Sequence, residues 1–158
     1  MNFTTPALCL TLAITIAACT TTTRPLTLND NRIVRGERIG EVQIGMPLAT
    51  LTALKGTPQK TRPMQTGATT YIYDGFSVAA HDEVYWVIAY DPKFRTANGI
   101  APGMQQIDAR AAAGTPNCVL TGDTETTYDY SDLYFTVDNQ TGRVLKVGVR
   151  RAQDWCSS

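Results

Sequence analysis

One gap-free pattern occurs twice in this chain and constrains its fold more than any other feature. Gly45-Met46 is followed by Gly56-Thr57-Pro58, and Gly103-Met104 by Gly114-Thr115-Pro116, at a constant offset of 58 residues. Ala53 and Ala111 match at the same offset. Downstream the likeness continues with small shifts. Tyr71-Ile72-Tyr73 resembles Tyr128-Asp129-Tyr130, and Phe76-Ser77-Val78 resembles Phe135-Thr136-Val137 or Leu133-Tyr134-Phe135. Val84-Tyr85-Trp86-Val87 sits like Val144-Leu145-Lys146-Val147. A repeat of this length is one supersecondary unit used twice.

Each motif has a mechanical reading. Gly45 and Gly103 let an entering segment turn. Pro47 suits the first turn of a helix, where its missing N–H costs nothing. Leu48, Leu51 and Leu54 form one apolar stripe, Gly56 ends the helix and Pro58 prevents its resumption. In the second copy Ile107, Ala111 and Ala112 are expected to do the burying. Three strand-like runs follow each helix: 69–73, 75–80 and 84–90, then 126–130, 133–137 and 144–150. The expected fold is therefore α+β: two helix-plus-three-stranded-meander repeats forming an antiparallel sheet with the helices on one face. One copy alone would bury too little surface to be stable. The domain is placed at 34–151, with copy one at about 39–92 and copy two at about 97–151.

Length and charge exclude several functions. A chain of 158 residues is a prior for one domain. Fourteen basic and fourteen acidic residues cancel, whereas a nucleic-acid binder needs a basic patch to displace counterions. A single histidine, His81, argues against a His-rich zinc site or a catalytic triad. Residues 1–23 carry no charged side chain and include an apolar run over 7–18, too short to span a membrane but suited to a secretory signal. Ile16-Ala17-Ala18-Cys19 resembles the lipobox of bacterial lipoproteins. That resemblance implies removal of residues 1–18 and acylation of Cys19, palmitate included. The threonines that follow read as part of a tether over 19–33. Thr20, standing where aspartate would signal inner-membrane retention, implies an outer-membrane location facing the periplasm. Cys118 and Cys156 remain as an even pair in an oxidising compartment. A disulfide holding the tail over 152–158 is favoured over catalysis or metal binding.

The sequence glycine-methionine, helix, glycine-x-proline, tyrosine-rich strand and hairpin resembles the SmpA/OmlA (BamE-like) family of outer-membrane lipoproteins. Its tandem form resembles the β-lactamase-inhibitor protein fold. Gly45, Met46, Gly56 and Pro58 carry the likeness in copy one, and Gly103, Met104, Gly114 and Pro116 in copy two. The resemblance implies a non-enzymatic envelope protein that contacts a protein partner, with a role in outer-membrane assembly or maintenance. The inhibitor fold suggests the alternative, inhibition of a periplasmic or foreign hydrolase.

No catalytic constellation is legible. His81 reads as a solvated turn residue. Asp129, Asp132 and Asp138 read as strand-end and turn residues, and Ser77 and Ser131 have no motif around them. No cofactor or metal is expected. The aromatics carry more information. Lys146 and Arg150 must face away from the core, so Leu145, Val147 and Val149 are expected to face inward. Carried across by an offset of 60, that register puts Tyr85, Val87 and Ala89 in the core and Val84, Trp86, Ile88 and Tyr90 on the other face. Either a segment such as 25–38 covers that stripe or it binds a partner. Trp86, Ile88, Tyr90, Lys146 and Arg150 are the partner-binding candidates, since aromatics and arginine are the usual anchors of interfaces.

Overall fold

The computed structural model describes residues 30–152 and Cys156. The expected signal peptide over 1–18, Cys19, the expected tether as far as residue 29 and the tail residues 153–155, 157 and 158 lie outside the described residues. Twelve strands and two eight-residue helices make up the described part. Its class is mostly β, which corrects the expected α+β arrangement of three-stranded meanders.

The main sheet is antiparallel and eight-stranded. Its order is β4 (Lys60–Pro63), β5 (Thr69–Ile72), β6 (Phe76–Ala80), β7 (Val84–Ala89), β12 (Val144–Arg150), β11 (Leu133–Asp138), β10 (Glu125–Asp129) and β9 (Cys118–Thr121). Two strands here were not read from the sequence, β4 and β9. Each follows a Gly-Thr-Pro stop and is exposed along its length or nearly so. Neither shows apolar alternation, and only pairing with the next strand makes them regular. A second, mixed sheet orders β3 (Val42–Gln43), β2 (Arg38–Ile39), β1 (Arg32–Val34) and β8 (Arg95–Thr96), with β1 and β8 parallel. Asp30 clamps it, holding Arg38 Nη1 at 2.7 Å. That guanidinium keeps the Asp30 carboxyl below the usual carboxylate range.

The helices α1 (Leu48–Lys55) and α2 (Gln106–Ala113) lie 58 residues apart and are built alike. Gly45 donates its N–H to Val84 O at 2.7 Å, and Gly103 donates to Val144 O at 2.7 Å. Gly56 and Gly114 close the C-termini by donating to Thr52 O and Arg110 O. All four glycines have φ between 71° and 86°, a region that costs other residues free energy. Leu51 and Ala109 are the buried residues of the two helices. They join one apolar core with Val78, Val87, Val147, Phe135 and Tyr128 from the sheet. Ile107, expected to bury, is 76% exposed, because the short helix turns Gln106, Ala109 and part of its last turn to the sheet instead.

The second sheet packs on the same side. Ile33, Ile39 and Val42 belong to the core that contains Val87 and Ala89. Residues 30–38 therefore do not cover the other face of the main sheet.

Register is corrected in one respect. Ala79 pairs with Trp86 but Ala80 with Val84, so Tyr85 is an extra residue in β7. Thr136 pairs with Lys146 but Val137 with Val144, so Leu145 is the extra residue in β12. These two β-bulges occupy equivalent places in the copies. Each turns the expected inward residue out: Leu145 is 39% exposed, whereas Val84 and Val144 are buried. A bulge inserts one residue against none and so reverses the alternation on one side of it.

A candidate binding face on the outer side of the sheet

Directly paired residues of neighbouring strands share a face, so the outer face can be read from the registers. Ser77, Ile88, Gly148, Tyr134, Asp129 and Cys118 form one row across six strands. Ala79, Trp86 and Arg150 form the row on one side of it. Leu120, Thr127, Thr136 and Lys146 form the row on the other.

Gly148 leaves a gap in the middle row, and the ring of Tyr134 lies across it. A Cβ at that position would stand well inside contact distance of the ring. The ring meets Trp86 edge-on with centroids 5.5 Å apart, and the Arg150 guanidinium lies 5.6 Å from its centroid. Burial pushes the Tyr134 hydroxyl far above its ordinary pKa, so it stays protonated at any physiological pH. Gly148→Ala is expected to lower stability by about 1–3 kcal/mol, the usual cost of an overpacked site. Urea denaturation of the purified protein measures it. An unchanged midpoint would mean that the ring does not need the gap.

Arg150 donates from Nη2 to Asp129 Oδ2 in a close charge-assisted bond. Both side chains are buried, 4% and 1% exposed. A buried charge pair of this kind anchors the face rather than presenting a free cation to solvent. Lys146 is less enclosed and reaches Glu125 at 3.1 Å. Tyr90, the most exposed member at 46%, shares a hydrogen bond of 3.1 Å with Ser77.

All five residues singled out in the sequence, Trp86, Ile88, Tyr90, Lys146 and Arg150, line one cleft of about 230 Å³. Leu120, Thr127, Asp129, Tyr134 and Thr136 complete it. Sequence reasoning missed those five. Leu120 lies in β9, which has no apolar alternation, and Asp129 does end its strand, β10, but its burial against Arg150 is not visible from that position. One signal was available: an arginine within an apolar strand needs a carboxylate partner, and Asp129 lies in the same copy, on β10, two strands from β12. Small-molecule sites usually measure roughly 300–1,000 Å³, so this cleft suits inserted side chains better than a cofactor.

Larger hollows occur beside α2, about 670 Å³, and beside His81 and Tyr85, about 600 Å³. Among their lining residues neither brings a serine or cysteine beside a base. His81 is exposed and stacks on Tyr85 at 5.7 Å. Asp132 pairs with Arg35 at 2.7 Å, and Asp138 accepts from Thr141 within its hairpin. Ser131 is a turn residue with φ 74°. Among the described residues no three His, Cys, Asp or Glu side chains gather at one point. Cys118 and Cys156 form a disulfide, with Cα atoms 5.9 Å apart.

No protein-family model matches the chain, and no curated protein is similar to it in sequence. Solved structures share its fold. One is the uncharacterised protein yfeY from Escherichia coli, 12% identical with a TM-score of 0.57 over 77% of this chain and 99% of that one. Another is an extracellular protein containing a SCP domain from Bacillus anthracis, 14% identical with a TM-score of 0.51 over 68% of this chain and 44% of that one. A third is a cysteine-rich secretory protein from Staphylococcus aureus, 18% identical with a TM-score of 0.51 over 78% of this chain and 48% of that one. The chain thus spans less than half the length of the latter two. At these identities the likeness is one of fold alone. These mostly-β neighbours overturn the resemblance to the SmpA/OmlA (BamE-like) family. The motif behind that resemblance, glycine-methionine to glycine-x-proline, is helix punctuation that any short helix entering a meander can carry.

Proposed function

We propose that this chain is a non-enzymatic, lipid-anchored envelope protein that binds a protein partner through the outer face of its eight-stranded sheet. The observation behind this reading is the convergence of Trp86, Ile88 and Tyr90 with Lys146 and Arg150 on one small cleft. Aromatics packed around an arginine and rimmed by a lysine have the composition of an interface centre. The buried Asp129–Arg150 pair and the Tyr134 ring hold those side chains in place before any partner arrives, which lowers the ordering cost of binding. The disulfide supports an oxidising compartment. The lipobox at Cys19 supports attachment to a membrane, and Thr20 favours the outer one.

Photo-crosslinking tests this reading. A photoreactive residue is placed at Tyr90, on the rim of the cleft, or at Ile107, on the exposed side of α2. A specific adduct is expected from position 90 in cells and none from position 107. Trp86→Ala should weaken the partner by about 2 kcal/mol or more, roughly thirty-fold. Adducts from both positions, or from 107 alone, would discard the outer face as the binding site. A single soluble hydrolase as the adduct would instead establish the inhibitor reading.

A further inference from the structure

We propose that β9 is the seat of a two-fold contact between two copies of this chain, an antiparallel pairing of β9 with β9 that joins the two main sheets edge to edge. The main sheet has two edges, and the repeat makes them directly comparable, because β4 and β9 lie at the same 58-residue offset as the helices. Lys60, Thr61, Arg62 and Pro63 in copy one correspond to Cys118, Val119, Leu120 and Thr121 in copy two. The first edge carries two charges and a proline, the devices by which edge strands resist further pairing. The second carries none of them, and it leaves Val119 and Leu120 each 45% exposed. One repeat unit has thus been blunted at its edge while its twin has been left open.

The backbone specifies how a second strand would dock. Gly122 donates to Glu125 O at 2.8 Å. Along an antiparallel ladder such bonded pairs alternate, so Leu120 and Cys118 turn their backbone groups towards β10. Val119 and Thr121 turn theirs outward. Among the described residues no strand lies beyond β9. A two-fold axis at Leu120 lets the outward groups of Val119 and Thr121 bond to Thr121 and Val119 of the second copy. Leu120 then meets its own symmetry mate on the outer face, at the end of the cleft row. Gly122 comes opposite Cys118, where a residue without a side chain leaves room for the disulfide. Asp123 comes opposite Asn117, so no like charges face each other.

The equivalent register at β4 fails on two counts. It would set Arg62 against Arg62, and it would require an N–H from Pro63, which has none. A second copy is therefore the occupant that the open edge suits: its strand is neutral, apolar at the axis and complementary to itself. Zero net charge on the whole chain removes long-range repulsion between copies. A four-residue seam is short, so the contact is a weak one.

Sedimentation equilibrium of the full chain in a mild non-ionic detergent tests the proposal, with circular dichroism to check folding. The wild type should self-associate to a dimer, and no higher, at about 100 µM or below. Thr121→Pro copies Pro63 at the equivalent position. It removes only an outward N–H, and should raise the dissociation constant at least about tenfold. Leu120→Arg should do the same by setting two charges at the axis, and it decides the matter if the proline variant fails to fold. Arg62→Ala, on the other edge, should change nothing. A wild type that stays monomeric at about 500 µM, or a dimer that survives both β9 substitutions, would overturn the pairing.

Discussion

Asp129→Ala is expected to destabilise the protein by about 3–5 kcal/mol, the usual cost of removing one partner of a buried ion pair. The carboxylate is 1% exposed and its partner Arg150 4%. Removing it leaves a guanidinium inside the protein, with the ring of Tyr134 above it. With no carboxylate beside it, the buried guanidinium bears its desolvation cost uncompensated. Arg150→Met in the same chain should restore much of the loss, because replacing both partners by apolar groups of similar size is often close to neutral. Thermal and urea denaturation of the wild type, the single and the double variant measure it. A single variant within about 1 kcal/mol of the wild type would show that the pair is solvated and belongs to the surface, contrary to its burial. The distinction bears on function, since Arg150 supports the candidate face and its truncation reports on folding before it reports on binding.

Loss of the disulfide is expected to cost about 4 kcal/mol in the chain-entropy model, given the 38-residue separation of Cys118 and Cys156. The effect should be uneven. Cys118 opens β9, at the edge of the sheet, and Cys156 belongs to the tail that follows β12, three strands away. The bond therefore ties a residue that follows β12 to the edge strand β9. Hydrogen exchange on Cys118→Ser/Cys156→Ser should show lost protection in β9 and β10 first, with β6, β7, β11 and β12 protected nearly to global unfolding. Uniform loss of protection would mean that the edge and the centre of the sheet open as one unit. If the double variant kept its full stability, the tail would contribute nothing through its covalent tie.

Sequence patterns were most reliable where the controlling interaction is local. Gly56 and Gly114 mark helix ends because a left-handed residue there closes the last turn, a requirement met within five residues. The pairing of Cys118 with Cys156 was legible from parity together with the export that the N-terminal sequence leads one to expect. The hairpin at His81-Asp82-Glu83 and the turn at 138–143 were legible from their polarity. Patterns failed where the partner is distant. The strands β4 and β9 have no apolar alternation, and they are strands because β5 and β10 offer them unpaired backbone groups. The bulges at Tyr85 and Leu145 are invisible in a single strand, since only a count against the neighbouring strand reveals the extra residue. The family resemblance failed for a related reason: it rested on helix punctuation, which is shared by unrelated sheets.

By itself the sequence determined the two glycine-bounded helices, their 58-residue repetition, the disulfide partners and five of the ten residues that line the outer cleft. These depend on dihedral preferences, parity and the burial cost of charge, all of which act through residue type. Only the tertiary structure decided that the chain is mostly β, that the copies share one eight-stranded sheet through β7 and β12, and that Arg150 is a buried partner of Asp129. It also decided that one sheet edge is guarded by Arg62 and Pro63 while its counterpart at Leu120 and Thr121 is open. Strand pairing and ion pairing are relations between residues far apart in the chain, and their free energy exists only once the sheet has brought those residues together.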